Sequence, residues 1–368
     1  LHQPQQVVLT YGADPAEQGA PSRYLHQLRL ELYHTPELSD RYKQRQLQDP
    51  AAVPTAPALV GDEAPLIRHK LSRYYLDEAA LREAKLLKHK AENDEPLPQD
   101  RLPYLSPSAL NSFLTCELQF YFRYIMQLAE PDAVEEHATG ALLGSLLHAT
   151  MEHAVKHLAA NQPFETEQVK THLKQAVEQA VSEHMRHLPE DMREQGRVYL
   201  AKETVLHLAS QILAVDEEDT PQHAETEVPL RLAITVPGVP QPVRLGGAAD
   251  RRDTHEDGIH LVDYKTGKLE QALFKEPPEA HDQLLQPEDP ARSPLHQGYL
   301  YTWMQRRMLQ AEQAPQQDIR FSFYALKKKP DEELAITLAG LDEAFFERMD
   351  QEVTQLLAEL FQPQKQFT

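Results

Sequence analysis

The sequence predicts an α/β fold: one central mixed β-sheet flanked by helices, preceded by a largely helical N-terminal extension. Two observations predict it. From about residue 138 the order of elements reads as helices, three strands, a helix and a further strand, and one sheet covered by those helices is the natural packing for that order. Residues 318–326 (Asp-Ile-Arg-Phe-Ser-Phe-Tyr-Ala-Leu) also alternate cleanly with the period of a strand.

The elements follow in order. Residues 6–10 read as a short strand, and a helix starts at about Pro21. Residues 48–66 are rich in Pro and Ala and read as a linker. Residues 68–92 return to helix, with Leu71, Tyr75, Leu76 and Leu81 at helical spacing. Residues 93–105 are acidic and contain proline, which places a domain boundary near 100. Ser106-Pro107 is a helix start, a hydroxyl N-cap followed by Pro at the first helical position. That helix carries Leu110, Phe113, Leu114, Phe120, Tyr121 and Tyr124. Further helices are expected at about 138–160, 165–186 and 191–214. Residues 225–236 and 242–253 read as a hairpin, and Ile259 to Tyr264 as a short apolar strand. Residues 268–293 read as a loop, 294–312 as a helix, and 341–361 as a final amphipathic helix.

Composition bounds the function. The chain has 368 residues, 41% of them hydrophobic, so a sizeable core can form. A single cysteine, Cys116, excludes a disulfide framework and any all-cysteine metal site within the chain, and fits a cytoplasmic location. No apolar run approaches the roughly 18–20 residues of a membrane helix, and no signal segment opens the chain. It starts at Leu1 inside a strand-like run and reads as a fragment of a longer protein. The formal net charge is −20, so a broad basic grip on nucleic acid is not expected. DNA would need a local cationic channel, for which Arg251, Arg252, Lys265, Lys268, Arg306, Arg307 and Lys327-Lys328-Lys329 are candidates, or partner domains. The lysine run could equally be a solvated strand end.

The chemistry-bearing residues cluster in two strands. Gly246-Gly247-Ala248-Ala249-Asp250-Arg251 and Leu261-Val262-Asp263-Tyr264-Lys265-Thr266-Gly267 place Asp250 and Asp263 at hairpin distance. Asp263 and Lys265 lie two apart, so both side chains share a strand face. Paired carboxylates can hold a hard divalent cation, which would activate water and polarise a phosphoryl oxygen. A lysine beside them can orient that water and offset phosphate charge. Alternatively, Asp263-Tyr264-Lys265 ends a strand with charges facing solvent. Gly140, Gly144 and His148 share one helix face, where the glycines would allow a close backbone approach with the histidine at the contact. The plain alternative is a packing face with a satisfied histidine.

Together these segments resemble the PD-(D/E)xK nuclease superfamily, specifically RecB/AddB-type exonuclease domains. Ser106 to Tyr124 is similar to that family's opening helix and Gly144-Ser-Leu-Leu-His148 to its Gly-x-x-x-His helix. The two acidic strands match, and Gln297-Gly-Tyr-Leu-Tyr301 matches the Gln-x-x-x-Tyr helix that follows the core. The resemblance covers about residues 101–330. It implies a restriction-endonuclease-like core over residues 101–368, with His148, Asp250 and Asp263 as metal ligands and the Tyr264 carbonyl as a further one. It implies Lys265 as catalytic lysine, Gln297 and Tyr301 as supporting residues, and Mg²⁺ or Mn²⁺ as the ion. The implied activity is DNA exonuclease cleavage within a double-strand-break repair helicase–nuclease. The alternative is a catalytically inactive DNA-binding or scaffold module on the same fold.

The sequence departs from many AddB-type relatives, which hold an iron–sulfur cluster with four cysteines. Cys116 falls where the first of these would lie, no other cysteine exists, and no such cluster is expected; Cys116 then reads as a buried core residue. Residues 1–100 more weakly resemble the tail of a superfamily 1 helicase, carried by Val7-Val8-Leu9-Thr10-Tyr11-Gly12 and Pro21-Ser22-Arg23-Tyr24-Leu25. With no phosphate-binding loop present, this part reads as a helicase-type remnant plus linker, with a helicase domain or partner subunit supplying the motor.

Overall fold

The computed structural model describes residues 70–71, 74, 103–128, 140–156, 164–186, 196–286, 290–327, 332–338 and 340–362. The strand expected at 6–10, the helix from Pro21, the linker and most of the 68–92 helix lie outside them.

Five strands form one mixed sheet in sequence order: β1 (His223–Ile234), β2 (Val243–Thr254), β3 (Gly258–Lys265), β4 (Asp318–Ala325) and β5 (Ala335–Thr337). β1–β2, β2–β3 and β4–β5 pair antiparallel, and β3–β4 pair parallel. β3 is buried along almost its whole length, as a strand covered on both faces must be. The expected fold class is therefore the observed one. β5 was not anticipated. Three residues are too few to show a period, and its pairing with β4 exists only once the chain has returned there.

Helices cover both faces. On one side lie α1 (Pro107–Thr115), the short α2 (Glu117–Phe120), α6 (Gln271–Lys275), α7 (Ser293–Ala311) and α8 (Glu343–Leu360). Their apolar side chains share a core with Leu245, Ala249, Leu261, Phe321 and Phe323 of the sheet. On the other side α3 (Gly140–Lys156), α4 (Thr166–His184) and α5 (Gly196–Glu218) enclose a second core with Val262, Tyr264 and Tyr324. α8 shows why these segments are helical. Asp342 caps it by accepting the Phe345 N–H at 2.9 Å. Phe345, Met349, Val353, Leu356, Leu357 and Leu360 then fall on one buried stripe, each contributing about 1.5–3 kcal/mol of burial.

Ser106 caps α1 as expected, its side chain accepting the Ala109 N–H at 3.1 Å. Leu105 just before it bridges to β2, donating to Arg244 O and accepting from Gly246 N, both at 3.0 Å. The helix expected to run on to Tyr124 instead breaks at Cys116, where the backbone is extended, and resumes through α2 into a π-helical turn at Tyr121–Ile125. This break corrects the expectation for Cys116, which is exposed. The break turns its side chain out of the face that buries Phe113 and Phe120. The 268–293 segment is also not all loop, since it contains α6 and two 3₁₀ turns. α5 runs on to Glu218, past its predicted end near residue 214.

Arg251 corrects a second expectation. It was a candidate for the DNA channel, but it is fully buried. Its NH1 and NH2 donate to Asp216 of α5 at 2.8 and 2.7 Å, and its Nε and NH2 to Asp253 at 3.0 and 2.8 Å. Tyr324 OH also donates to Asp216 at 3.2 Å. This network ties α5 to β2 and β4 one residue from Asp250. Removing the guanidinium leaves two buried carboxylates uncompensated. Arg251→Met should therefore lower the unfolding free energy by about 3–5 kcal/mol in a denaturant titration. A loss below about 1 kcal/mol would mean the network is solvated.

Candidate active site

The site forms where the β2–β3 ladder stops. Residues 251–254 pair with 262–259, and the pairing ends at Arg251↔Val262. Beyond that point the Tyr264 N–H has no β2 carbonyl, and the Asp250 side chain takes its place, accepting at 2.8 Å through Oδ2. The two acidic strands thus pair as the sequence suggested, and past the end of their ladder the Asp250 side chain continues the contact.

α3 supplies the third part. Gly144 lies so close to the end of β3 that a Cβ there would stand 2.9 Å from Thr266 Oγ1. The expected glycine-mediated approach is real at this residue. One turn on, His148 Nε2 donates to the Tyr264 carbonyl at 2.9 Å, and Nδ1 faces Asp250 Oδ1 at 3.3 Å. Burial opposes charge on this ring. The hydrogen bond to Asp250 and the charges of Asp250 and Asp263 outweigh it and push the imidazole up to about 8.

Asp263, Lys265 and Gln297 form a closed triangle. Lys265 Nζ lies 2.8 Å from Asp263 Oδ2 and donates to Gln297 Oε1 at 2.9 Å. Gln297 Nε2 donates to Asp263 Oδ1 at 3.0 Å. The ammonium also sits 5.7 Å from the centre of the Phe323 ring. Gln297 is in the second turn of α7, anchored by Leu295, Tyr299 and Trp303 in the core. Tyr301, one turn later, is hydrogen-bonded to Gln297, and burial pushes its phenol well up. Burial, then the nearby Asp250 charge, pushes the Asp263 carboxyl up to about 6 despite Lys265.

All seven expected residues therefore meet in one region, in two subgroups: His148 with Asp250 and the Tyr264 carbonyl, and Asp263 with Lys265, Gln297 and Tyr301. Among the described residues, His148, Asp250 and Asp263 do not bring one donor atom each within 4.8 Å of the other two, because both Asp263 oxygens are drawn to Lys265 and Gln297. The donor set nonetheless suits a hard divalent cation: two carboxylates, a carbonyl and an imidazole. Burial, then the Asp250 charge, disfavours the ionised Asp263 carboxylate, and a bound cation would favour it.

One acidic residue escaped the sequence reading. Thr226↔Arg251 and Val228↔Ala249 pair on either side of Glu227 and Asp250, so Glu227 stands opposite Asp250. It adopts φ 50 inside a strand, a left-handed conformation that non-glycine residues rarely take. Partial burial, then the charges of Asp250 and Glu152, raise its pKa. With Gly144, His148 and Glu152 it lines an open cleft of about 550 Å³. Only the chain fold signals this; in sequence Glu227 is one of many acids.

Among the described residues, several candidates for the cationic channel are engaged in ion pairs. Arg252 pairs with Glu225, Arg306 with Glu343 and Arg307 with Asp350. The surplus of carboxylates behind the −20 charge engages these arginines. Lys268 and Lys327 are exposed; Lys328 and Lys329 lie outside the described residues.

Two outcomes follow from this geometry. The folded-state value of His148, about 8 against an ordinary 6.5, means its imidazolium stabilises the fold fully below about pH 6.5 and loses that effect as pH rises through 8. In chelator, His148→Gln should therefore lower the thermal midpoint at pH 6 more than at pH 9; equal losses would refute the raised value. A Cβ on Gly247 would lie 2.6 Å from Tyr301 Cε1. Gly247→Ala should accordingly cost about 1–3 kcal/mol by displacing that ring, measured by urea unfolding, and a neutral result would show slack around Tyr301.

No curated protein matches the chain. A solved structure titled "Crystal structure of SSO0001" is similar over 58% of this chain and 85% of its own, at 17% identity and a TM-score of 0.21, a likeness too slight to bear on fold or function. Among the described residues no helix is long and apolar enough to cross a membrane. The family model of the PD-(D/E)XK nuclease superfamily matches residues 104–368. That span contains the sheet, both helical layers and every residue of the site, and the chain belongs to the PD-(D/E)XK nuclease superfamily.

Proposed function

We propose that this chain is a divalent-metal-dependent DNA exonuclease module that hydrolyses phosphodiester bonds at DNA ends, as part of a double-strand-break repair helicase–nuclease. Residues 101–368 are the nuclease domain, and residues 1–100 a helicase-type remnant plus linker. The observation that carries the reading is the placement of Lys265 Nζ 2.8 Å from Asp263, beside the strand on which Asp250 holds the Tyr264 N–H. His148, Asp250, Asp263 and the Tyr264 carbonyl would hold the metal. A Mg²⁺ or Mn²⁺ bound there would supply Lewis acidity to the phosphate and activate water as the nucleophile.

The chain's own residues do the rest. Lys265 turns its ammonium toward the phosphate and offsets the negative charge that grows on it. Gln297 holds Lys265 and Asp263 in register, since it accepts from one and donates to the other. Tyr301 fixes the Gln297 amide. His148 must give up a proton before it can ligate. DNA contacts beyond the site fall to the helicase domain or a partner subunit, consistent with the paired state of Arg252, Arg306 and Arg307.

The purified chain should degrade single-stranded or duplex-ended DNA with Mg²⁺ or Mn²⁺ and stop in EDTA. Lys265→Ala and Asp263→Asn should each reduce the rate by about 10²-fold or more while circular dichroism stays unchanged. Cleavage that survives EDTA, or Lys265→Ala at full rate, would sink the mechanism. No cleavage with any divalent ion, on either substrate, would instead favour the inactive scaffold reading.

A further inference from the structure

A second group of ligating side chains lies away from the nuclease site, at the other end of β3. Asp219 follows directly on α5, His255 is in the β2–β3 turn, and His260 is within β3. One donor atom from each lies within 4.8 Å of the other two. His255 Nδ1 is 3.4 Å from Asp219 Oδ1, and the two imidazole rings are 6.0 Å apart. Along β3, Asp263 lies three positions on from His260, about 10 Å of strand.

We propose that Asp219, His255 and His260 form a distinct site for a borderline transition-metal ion such as Zn²⁺, clamping the end of α5 to the β2–β3 turn. Three observations support it. The donors are two imidazoles and one carboxylate, a set that suits Zn²⁺ and its neighbours rather than Mg²⁺. His255 Nε2 is buried without a hydrogen-bond partner, an expensive state for a polar atom. The His260 ring is held by Ser322 Oγ at 2.8 Å, itself 2.7 Å from Thr337 Oγ1, the kind of support that orients a ligating histidine.

The surrounding charges fit the same reading. Burial, then the Arg251 and Arg320 cations, hold His260 down at about 3, and burial lowers His255. Both rings therefore keep lone pairs for a metal at neutral pH, with no proton to displace. Two cations oppose an ion here: Arg251, whose charge is engaged by Asp216 and Asp253, and Arg320, whose NH1 lies 3.3 Å from Asp219 Oδ2 and whose NH2 lies 3.6 Å from Asp257. Arg320 engages the Asp219 oxygen other than the one beside His255 and, being over a third exposed, can swing clear. The proposal does not depend on the nuclease reading.

The test uses the full chain, stripped with chelator and dialysed into excess Mg²⁺, then titrated with Zn²⁺ by calorimetry and with Co²⁺ by visible absorption. Wild type should bind one ion with a rise in thermal midpoint. His255→Gln and the exposed-site variant Asp219→Asn should each weaken binding beyond the roughly 10–100-fold cost of disturbing a supporting group, and remove the Co²⁺ absorption. Asp250→Asn, in the other site, should leave both signals intact. Arg320→Gln should tighten binding by freeing Asp219. Absence of Zn²⁺ binding, binding lost with Asp250→Asn, or binding unchanged in both His255→Gln and Asp219→Asn would overturn the proposal.

Discussion

The hydrogen bond from Tyr264 N–H to Asp250 Oδ2 closes a gap in the sheet. A strand at the centre of a buried sheet needs a partner for every amide, since an unmet one costs about 1–3 kcal/mol. β2 stops pairing with β3 at Arg251, and the Asp250 carboxylate supplies the missing acceptor. The same carboxylate faces His148, which in turn holds the Tyr264 carbonyl. One side chain thereby joins β2, β3 and α3, and the catalytic candidates sit where the backbone ladder has been given up.

Neighbouring residues on β2 divide the labour. Asp250 remains partly accessible, whereas Arg251 is buried between Asp216 and Asp253. The arginine holds the strand against α5, and the aspartate is thereby presented at a fixed place. A buried ion network of this kind is weak evidence for stability as such, but breaking it is costly. Its position beside the site suits anchoring better than contact with a ligand.

The arrangement on the opposite face relies on close packing. Gly247 leaves room for the Tyr301 ring, Tyr301 bonds Gln297, and Gln297 spans Asp263 and Lys265. The chain of contacts begins with a missing side chain and ends at the ammonium. The strained backbone at Glu227 sits opposite Asp250, in the part of the site lined by His148 and Glu152, where strain of about 1–3 kcal/mol is commonly stored.

Much of this was legible in the sequence. Strand periodicity, the Ser106-Pro107 cap and the spacing of Asp263 and Lys265 are local properties, fixed by the period of two and by the chemistry of the first helical turn. They determined the mixed α/β fold and singled out Asp250, Asp263, Lys265 and His148 as candidates, whereas Tyr264, Gln297 and Tyr301 entered only through the resemblance to the nuclease family. Contacts between distant segments were not legible. The exposure of Cys116, the burial of Arg251, the three-residue β5, the left-handed Glu227 and the meeting of Asp219 with two histidines each depend on where a remote segment comes to rest. Sequence by itself determined which groups were available to the site. Only the tertiary structure decided which carboxylate binds an amide, which cation is neutralised and which side chains share a cleft, because those outcomes are set by packing between elements far apart along the chain.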